Sequence, residues 1–176
     1  MPSTTQVRLS RRELLKLGAV TSVALTTVGI TATLTGCNSS EPATDYRILR
    51  SSDLPILGAV LPALVGAHPA MPAHLPAALT RLDESLAYMS THVHQDMYEL
   101  LDLLSMRLTR GPLTGIWGHW ENAEPAQVVH FLERWRDSRF DLLRQGHAAL
   151  SQLLLMAWYA LPASWEHTGY PGPPVF

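Results

Sequence analysis

Hydrophobic residues recur at helical spacing through most of the chain. Leu79, Leu82, Leu86, Met89, Val93, Met97, Leu100 and Leu104 step by threes and fours, which places them on one face of an amphipathic helix. Arg81, Asp83, Glu84, Asp96 and Asp102 are assigned to its opposite face. The spacing predicts one long helix from about Pro76 to the residue before Gly111-Pro112. At ~1.5 Å per residue it would be roughly 50 Å long. Upstream, Ser51-Ser52-Asp53 reads as a helix start and Leu54 to Val65 as its apolar body. Pro55 fits a first turn, and Pro62 interrupts any helix that continues. Pro69, Pro72 and Pro76 mark Ala67 to Pro76 as a loop. Leu113 to Trp120 reads as an aromatic turn or short helix. Glu124-Pro125 opens a further helix with Val128, Phe131, Leu132 and Trp135 on its buried face, and Asp137-Ser138 breaks it. The last long helix covers 142–161, is apolar all round at Leu153 to Tyr159, and ends at Pro162. No run alternates apolar and polar residues, so no strand is expected. The pattern predicts an all-α fold, a small irregular helical bundle.

Both ends of the chain depart from this pattern. Residues 158–176 hold four prolines, two glycines and five aromatic residues. This tail is expected to run extended from residue 162, with proline stiffening its backbone. Its aromatics serve either as a strap over the bundle or as anchors in a partner; the anchors would be Tyr159, Trp165, Tyr170, Pro171 and Phe176. Aromatic groups on a stiff backbone lose little entropy on binding.

The opposite end reads as an export leader. Arg8, Arg11, Arg12 and Lys16 precede a threonine-diluted apolar stretch, Leu17 to Leu34. That stretch is too short and too polar for a spanning helix, which needs about 20 apolar residues, and fits a processed signal. Ser10-Arg11-Arg12 followed by Leu14-Leu15-Lys16 resembles the twin-arginine consensus, an address read by the translocase for folded cargo. Leu34-Thr35-Gly36-Cys37 resembles a lipoprotein cleavage box. Cys37 is the single cysteine, so it has no internal disulfide partner. It is read as the lipidated first residue of the mature chain, on the periplasmic side of a bacterial membrane. The expected organisation is a leader over 1–36, a lipidated flexible linker over 37–45, a helical domain over 46–161 and the tail over 162–176.

Charge narrows the partners. The leader carries +3, so a chain of −2 overall leaves −5 on the remainder, which has nine arginines and no lysine. That balance disfavours nucleic acid and electrostatic adhesion to anionic lipid.

The combination of a twin-arginine leader, a proline-rich loop after the first helix and the closing tail carries a resemblance. The tail reads tyrosine-x-x-proline-x-x-tryptophan, then glycine-tyrosine-proline-glycine-proline, at Tyr159, Pro162, Trp165, Gly169, Tyr170, Pro171, Gly172 and Pro173. It resembles the gluconate 2-dehydrogenase subunit 3 family, small subunits of membrane-bound flavin-dependent sugar and alcohol dehydrogenases. The resemblance implies a non-catalytic chain without a cofactor of its own. The FAD would sit in a large catalytic subunit that is co-exported with it, and in many such complexes a cytochrome c subunit with haem c takes the electrons. The lipoprotein box, which many members lack, implies that this chain also anchors the complex, and leaves open whether a cytochrome is present.

The rival class is a stand-alone periplasmic lipoprotein that binds a metal or small ligand. Its densest candidate cluster is His92, Asp96 and Glu99, one side of a helix at spacings of three and four. A di-iron bundle would need Glu-x-x-His pairs, and the sequence has none. Trp117-Gly118-His119-Trp120 is either a small ligand pocket or core. The chain has no Cys-x-x-Cys-His for covalent haem and no Gly-x-Ser-x-Gly elbow. Catalysis by this chain alone is not expected.

Overall fold

A computed structural model describes residues 41–165 and 169–172. Among them are six α-helices and no strand: α1 Leu54–Val65, α2 Met71–Leu86, α3 Thr91–Ser105, α4 Arg107–Thr114, α5 Pro125–Arg136 and α6 Asp141–Tyr159. Short 3-10 turns occupy Trp120–Asn122 and Pro162–Ser164. The all-α bundle expected from periodicity is the observed class. α1 packs against α2, α5 and α6, and α6 lies along α2 and α5. The core they enclose is built on Leu49, Ile56, Val60, Leu61, Leu86, Leu101, Leu104, Phe131 and Trp158. Phe131 meets Trp120 and Trp135 edge to face, at 6.0 and 4.9 Å between ring centres. Such pairs add about 0.5–1.5 kcal/mol beyond area burial.

The long helix expected from Pro76 to Gly111 is three helices. The first break comes at Ser90. Its backbone is extended and its hydroxyl accepts the Val93 N–H at 3.4 Å, so it caps α3. His94 closes the same corner, its Nε2 lying 2.7 Å from the Leu86 carbonyl at the end of α2. The second break is Met106, extended between α3 and α4. The helix is interrupted at these points, and residues from both halves of the apolar stripe belong to one core. Leu79, Leu82, Leu86, Met97 and Leu104 are buried, whereas Val93 at the corner is exposed. α4 also runs through Gly111-Pro112, where the apolar spacing alone placed a stop, and ends at Gly115 with φ 81°. In its last turn the Leu113 carbonyl accepts the Trp135 indole N–H at 2.9 Å and a bond from Arg134, tying α4 to α5.

The expected loop over Ala67 to Pro76 is helical from Met71. Pro72 sits in the first turn, which needs no donor from it. Pro76 removes one bond farther along, on the exposed side of the helix. Pro62 likewise lies inside α1 without ending it. The expected linker over 37–45 is folded from Pro42 onward. Pro42 and Arg50 form an isolated bridge, the Ala43 N–H donates to the Leu49 carbonyl at 2.8 Å, and Ala43 is buried.

Gly146 sets the α5–α6 approach. A Cβ there would lie 2.7 Å from the Trp135 ring, and that ring is buried and cannot swing away. Gly146→Ala is expected to cost about 1–3 kcal/mol through overpacking. Urea denaturation would read this as a lower midpoint at constant slope.

Candidate functional site

Two regions stand out, at opposite ends of the described chain. The first is a buried polar cluster that roots the N-terminal hairpin. Asp83, in the last turn of α2, accepts three backbone N–H bonds: Arg47 at 2.8 Å, Ile48 at 2.9 Å and Leu49 at 2.8 Å. Its assignment to the polar helix face is overturned, because it is buried. The signal for this was present: Asp83 follows Leu79 by four and precedes Leu86 by three, so it shares their stripe.

Arg50 is 6 % exposed and paired with two carboxylates. Its Nε reaches Asp53 Oδ2 at 3.0 Å, and its Nη2 reaches Asp53 Oδ1 at 2.9 Å and Asp102 Oδ1 at 2.8 Å. The guanidinium lies 4.5 Å from the centre of the Tyr98 ring, and the Tyr98 hydroxyl donates to the Ile48 carbonyl at 2.8 Å. Burial pulls the Arg50 pKa down, but the bonds to Asp53 and Asp102 outweigh it and hold the group above its ordinary value. Burial acts in the opposite sense on the Tyr98 hydroxyl and raises its pKa. A bidentate, doubly countered arginine is a fixed cation with no proton to give at neutral pH. The cluster therefore holds structure and does not move protons. Sequence reasoning singled out neither Arg50 nor Asp53 in this role. Their spacing of three was the only local hint.

The second region is the end of α6 and the tail. The tail is not extended from residue 162: Pro162–Ser164 is a 3-10 turn, and Ser164 is buried with its hydroxyl on the Leu161 carbonyl at 2.7 Å. The turn directs Trp165 back, and its indole N–H donates to the Tyr159 carbonyl at 2.8 Å. Tyr170 meets the Trp165 ring edge-on at 5.6 Å. Gly172, with φ 100°, comes so close that a Cβ there would lie 3.0 Å from the same ring. Two of the expected anchors, Trp165 and Tyr170, thus form an aromatic knot that is fastened to the backbone of a third, Tyr159. Tyr159 and Tyr170 remain 49 % and 50 % exposed, and Met156, three residues before Tyr159 on α6, is exposed as well. Pro171 is exposed too. Next to Tyr159 in the chain, Trp158 is fully buried against His68, with ring centres 5.0 Å apart, so the knot sits on a fixed base.

The remaining candidates divide. His92 Nδ1 lies 3.5 Å from Asp96 Oδ1, with side chains 82 % and 65 % exposed. Glu99 is exposed as well. Among the described residues no three His, Cys, Asp or Glu side chains come together as metal ligands. His94, the other half of the His-x-His pair, is turned to the Leu86 carbonyl instead. In the aromatic segment Trp120 is core, its indole N–H on the Leu104 carbonyl at 2.8 Å, while Trp117 and His119 are exposed.

The export arginines Arg11 and Arg12, the lipidation candidate Cys37 and the terminal Phe176 lie outside the described residues. Among the described residues no helix is long and apolar enough to cross a membrane. Comparisons with family models, with curated proteins and with solved structures find no match.

Proposed function

We propose that this chain is a non-catalytic, lipid-anchored small subunit of a flavin-dependent dehydrogenase, acting in co-export, assembly and membrane attachment. The observation that carries the reading is the aromatic knot at the end of α6. Trp165 is fastened to the Tyr159 backbone and meets Tyr170 ring to ring, yet the Tyr159 and Tyr170 residues keep about half their surface open. Preorganised, half-exposed aromatics lose little entropy when a partner covers them, the usual property of interface anchors. The same residues carry the resemblance to the gluconate 2-dehydrogenase subunit 3 family.

The leader supports the same reading. A flavoprotein acquires FAD before export and crosses folded, so a partner bearing a twin-arginine signal can carry it across. The partners are then the translocase during export and an FAD-containing catalytic subunit throughout. A cytochrome c subunit is an optional third. Once Cys37 is lipidated, four residues separate it from Pro42, and the five steps between them span at most ~18 Å fully extended. The hairpin rooted by Asp83 and Arg50 would then lie against the bilayer, and several acyl chains would hold it there.

The double variant Trp165→Ala/Tyr170→Ala tests the docking role. Because anchor truncations cost about 2 kcal/mol or more, recovery of the flavoprotein with the tagged chain is expected to fall more than about tenfold. Helical circular dichroism should stay unchanged, since neither ring belongs to the bundle core. Undiminished co-purification would reduce the knot to a structural strap.

A further inference from the structure

A second site lies at the α3–α4 break, on elements separate from the aromatic knot. Ser51, Ser105, Arg107, Arg110, His119 and the carboxylate Glu121 line a recess of about 470 Å³. Its unusual member is Arg110, only 5 % exposed. The protein gives this guanidinium little. Nη1 lies 3.5 Å from the Ser105 carbonyl and Nη2 3.5 Å from the Trp117 carbonyl, both at the outer limit of a hydrogen bond. Among the described residues its Nε is buried with no partner.

Arg50 supplies an internal standard. It is buried to the same degree and is met by two carboxylates and an aromatic face. Buried cations are ordinarily paired in this way, because an unpaired one loses its hydration without compensation. Arg110 has no carboxylate in salt-bridge contact among the described residues. Burial lowers its pKa and neighbouring Arg107 lowers it further, while Glu121, which lines the same recess without a salt bridge to it, opposes them. The two arginines occupy the first turns of α4, whose leading N–H groups and dipole also favour negative charge. Ser51 adds an exposed hydroxyl at the rim.

We propose that this recess is a binding site for a small oxyanion, a phosphate or carboxylate group, with Arg110 as its buried contact and Arg107 as its outer one. The planar guanidinium fork matches either group through Nε and one Nη. The ligand would supply the charge and acceptors that Asp53 and Asp102 supply to Arg50.

The test uses the full-length chain in mild detergent, titrated calorimetrically with inorganic phosphate and, separately, with glutarate, each against sodium chloride of equal ionic strength. One saturable site per chain is expected for at least one of the two probes. Response to phosphate alone identifies a phosphate group as the ligand, and response to glutarate alone identifies a carboxylate. Arg107→Gln, an exposed change, is expected to weaken binding about tenfold, the loss of one charge-assisted contact. Arg110→Lys keeps the charge without the fork and should weaken it at least as much, with the fold checked by circular dichroism. No saturable response to either probe up to tens of millimolar would overturn the proposal. So would binding that neither substitution changes.

Discussion

Asp83→Ala is expected to cost about 3–5 kcal/mol, the largest single loss predicted for this domain. Three backbone donors end on this one carboxylate, and leaving a buried donor unmet costs roughly 1–3 kcal/mol each before any rehydration. Typical domains hold only about 5–15 kcal/mol in total, so the variant should sit near its unfolding threshold. Asp83→Asn is the informative companion. Its amide oxygen can still accept the Ile48 and Leu49 N–H groups, but its NH₂ replaces the oxygen that faced Arg47. Its loss should therefore be about half that of the alanine variant, read from urea denaturation followed by circular dichroism. Equal losses for the two would mean that α2 packing, and not the hydrogen bonds, makes the position sensitive.

Arg50→Met is the second large effect. It leaves Asp53, with no exposed surface, as a buried carboxylate without a counter-charge. Removing one partner of such a pair costs about 3–5 kcal/mol, whereas replacing both partners is often close to neutral. The double variant Arg50→Met/Asp53→Asn is accordingly expected to be more stable than Arg50→Met alone. If the second substitution lowers stability further, the stranded Asp53 charge is not what destabilises Arg50→Met, and the lost contacts to Asp102 or the Tyr98 ring are. Both predictions concern the hairpin that follows Cys37, the proposed lipid attachment point. A domain tethered through its N-terminus needs that end fastened to its core, and Asp83 and Arg50 fasten it.

Helix class and most core positions were legible from spacing alone. Leu79, Leu82, Leu86, Met97 and Leu104 are buried as their periodicity required. The breaks were not legible, because the threes and fours continue across them unchanged. Ser90 caps a helix that the apolar pattern spans, and Met106 turns extended without a glycine or proline to mark it. Asp83 was misplaced for a related reason: its charge argued for solvent, while its spacing put it among leucines, and the spacing was the better guide. Proline was overweighted at Pro62 and Pro76, both of which lie inside helices. In the tail, proline content pointed to extended backbone, yet Pro162 opens a 3-10 turn that brings Trp165 back onto Tyr159. The near-pairing of Arg110 with nothing but distant carbonyls had no trace in the sequence, since it depends on which carboxylates the fold delivers.

The subunit reading is tested most directly by purifying the tagged full-length chain from its native host in mild detergent. The eluate's flavin absorbance would be recorded and its co-purifying chains identified by mass spectrometry. A yellow eluate carrying a larger flavoprotein without an export signal of its own is the predicted result. A colourless eluate containing this chain alone would contradict it.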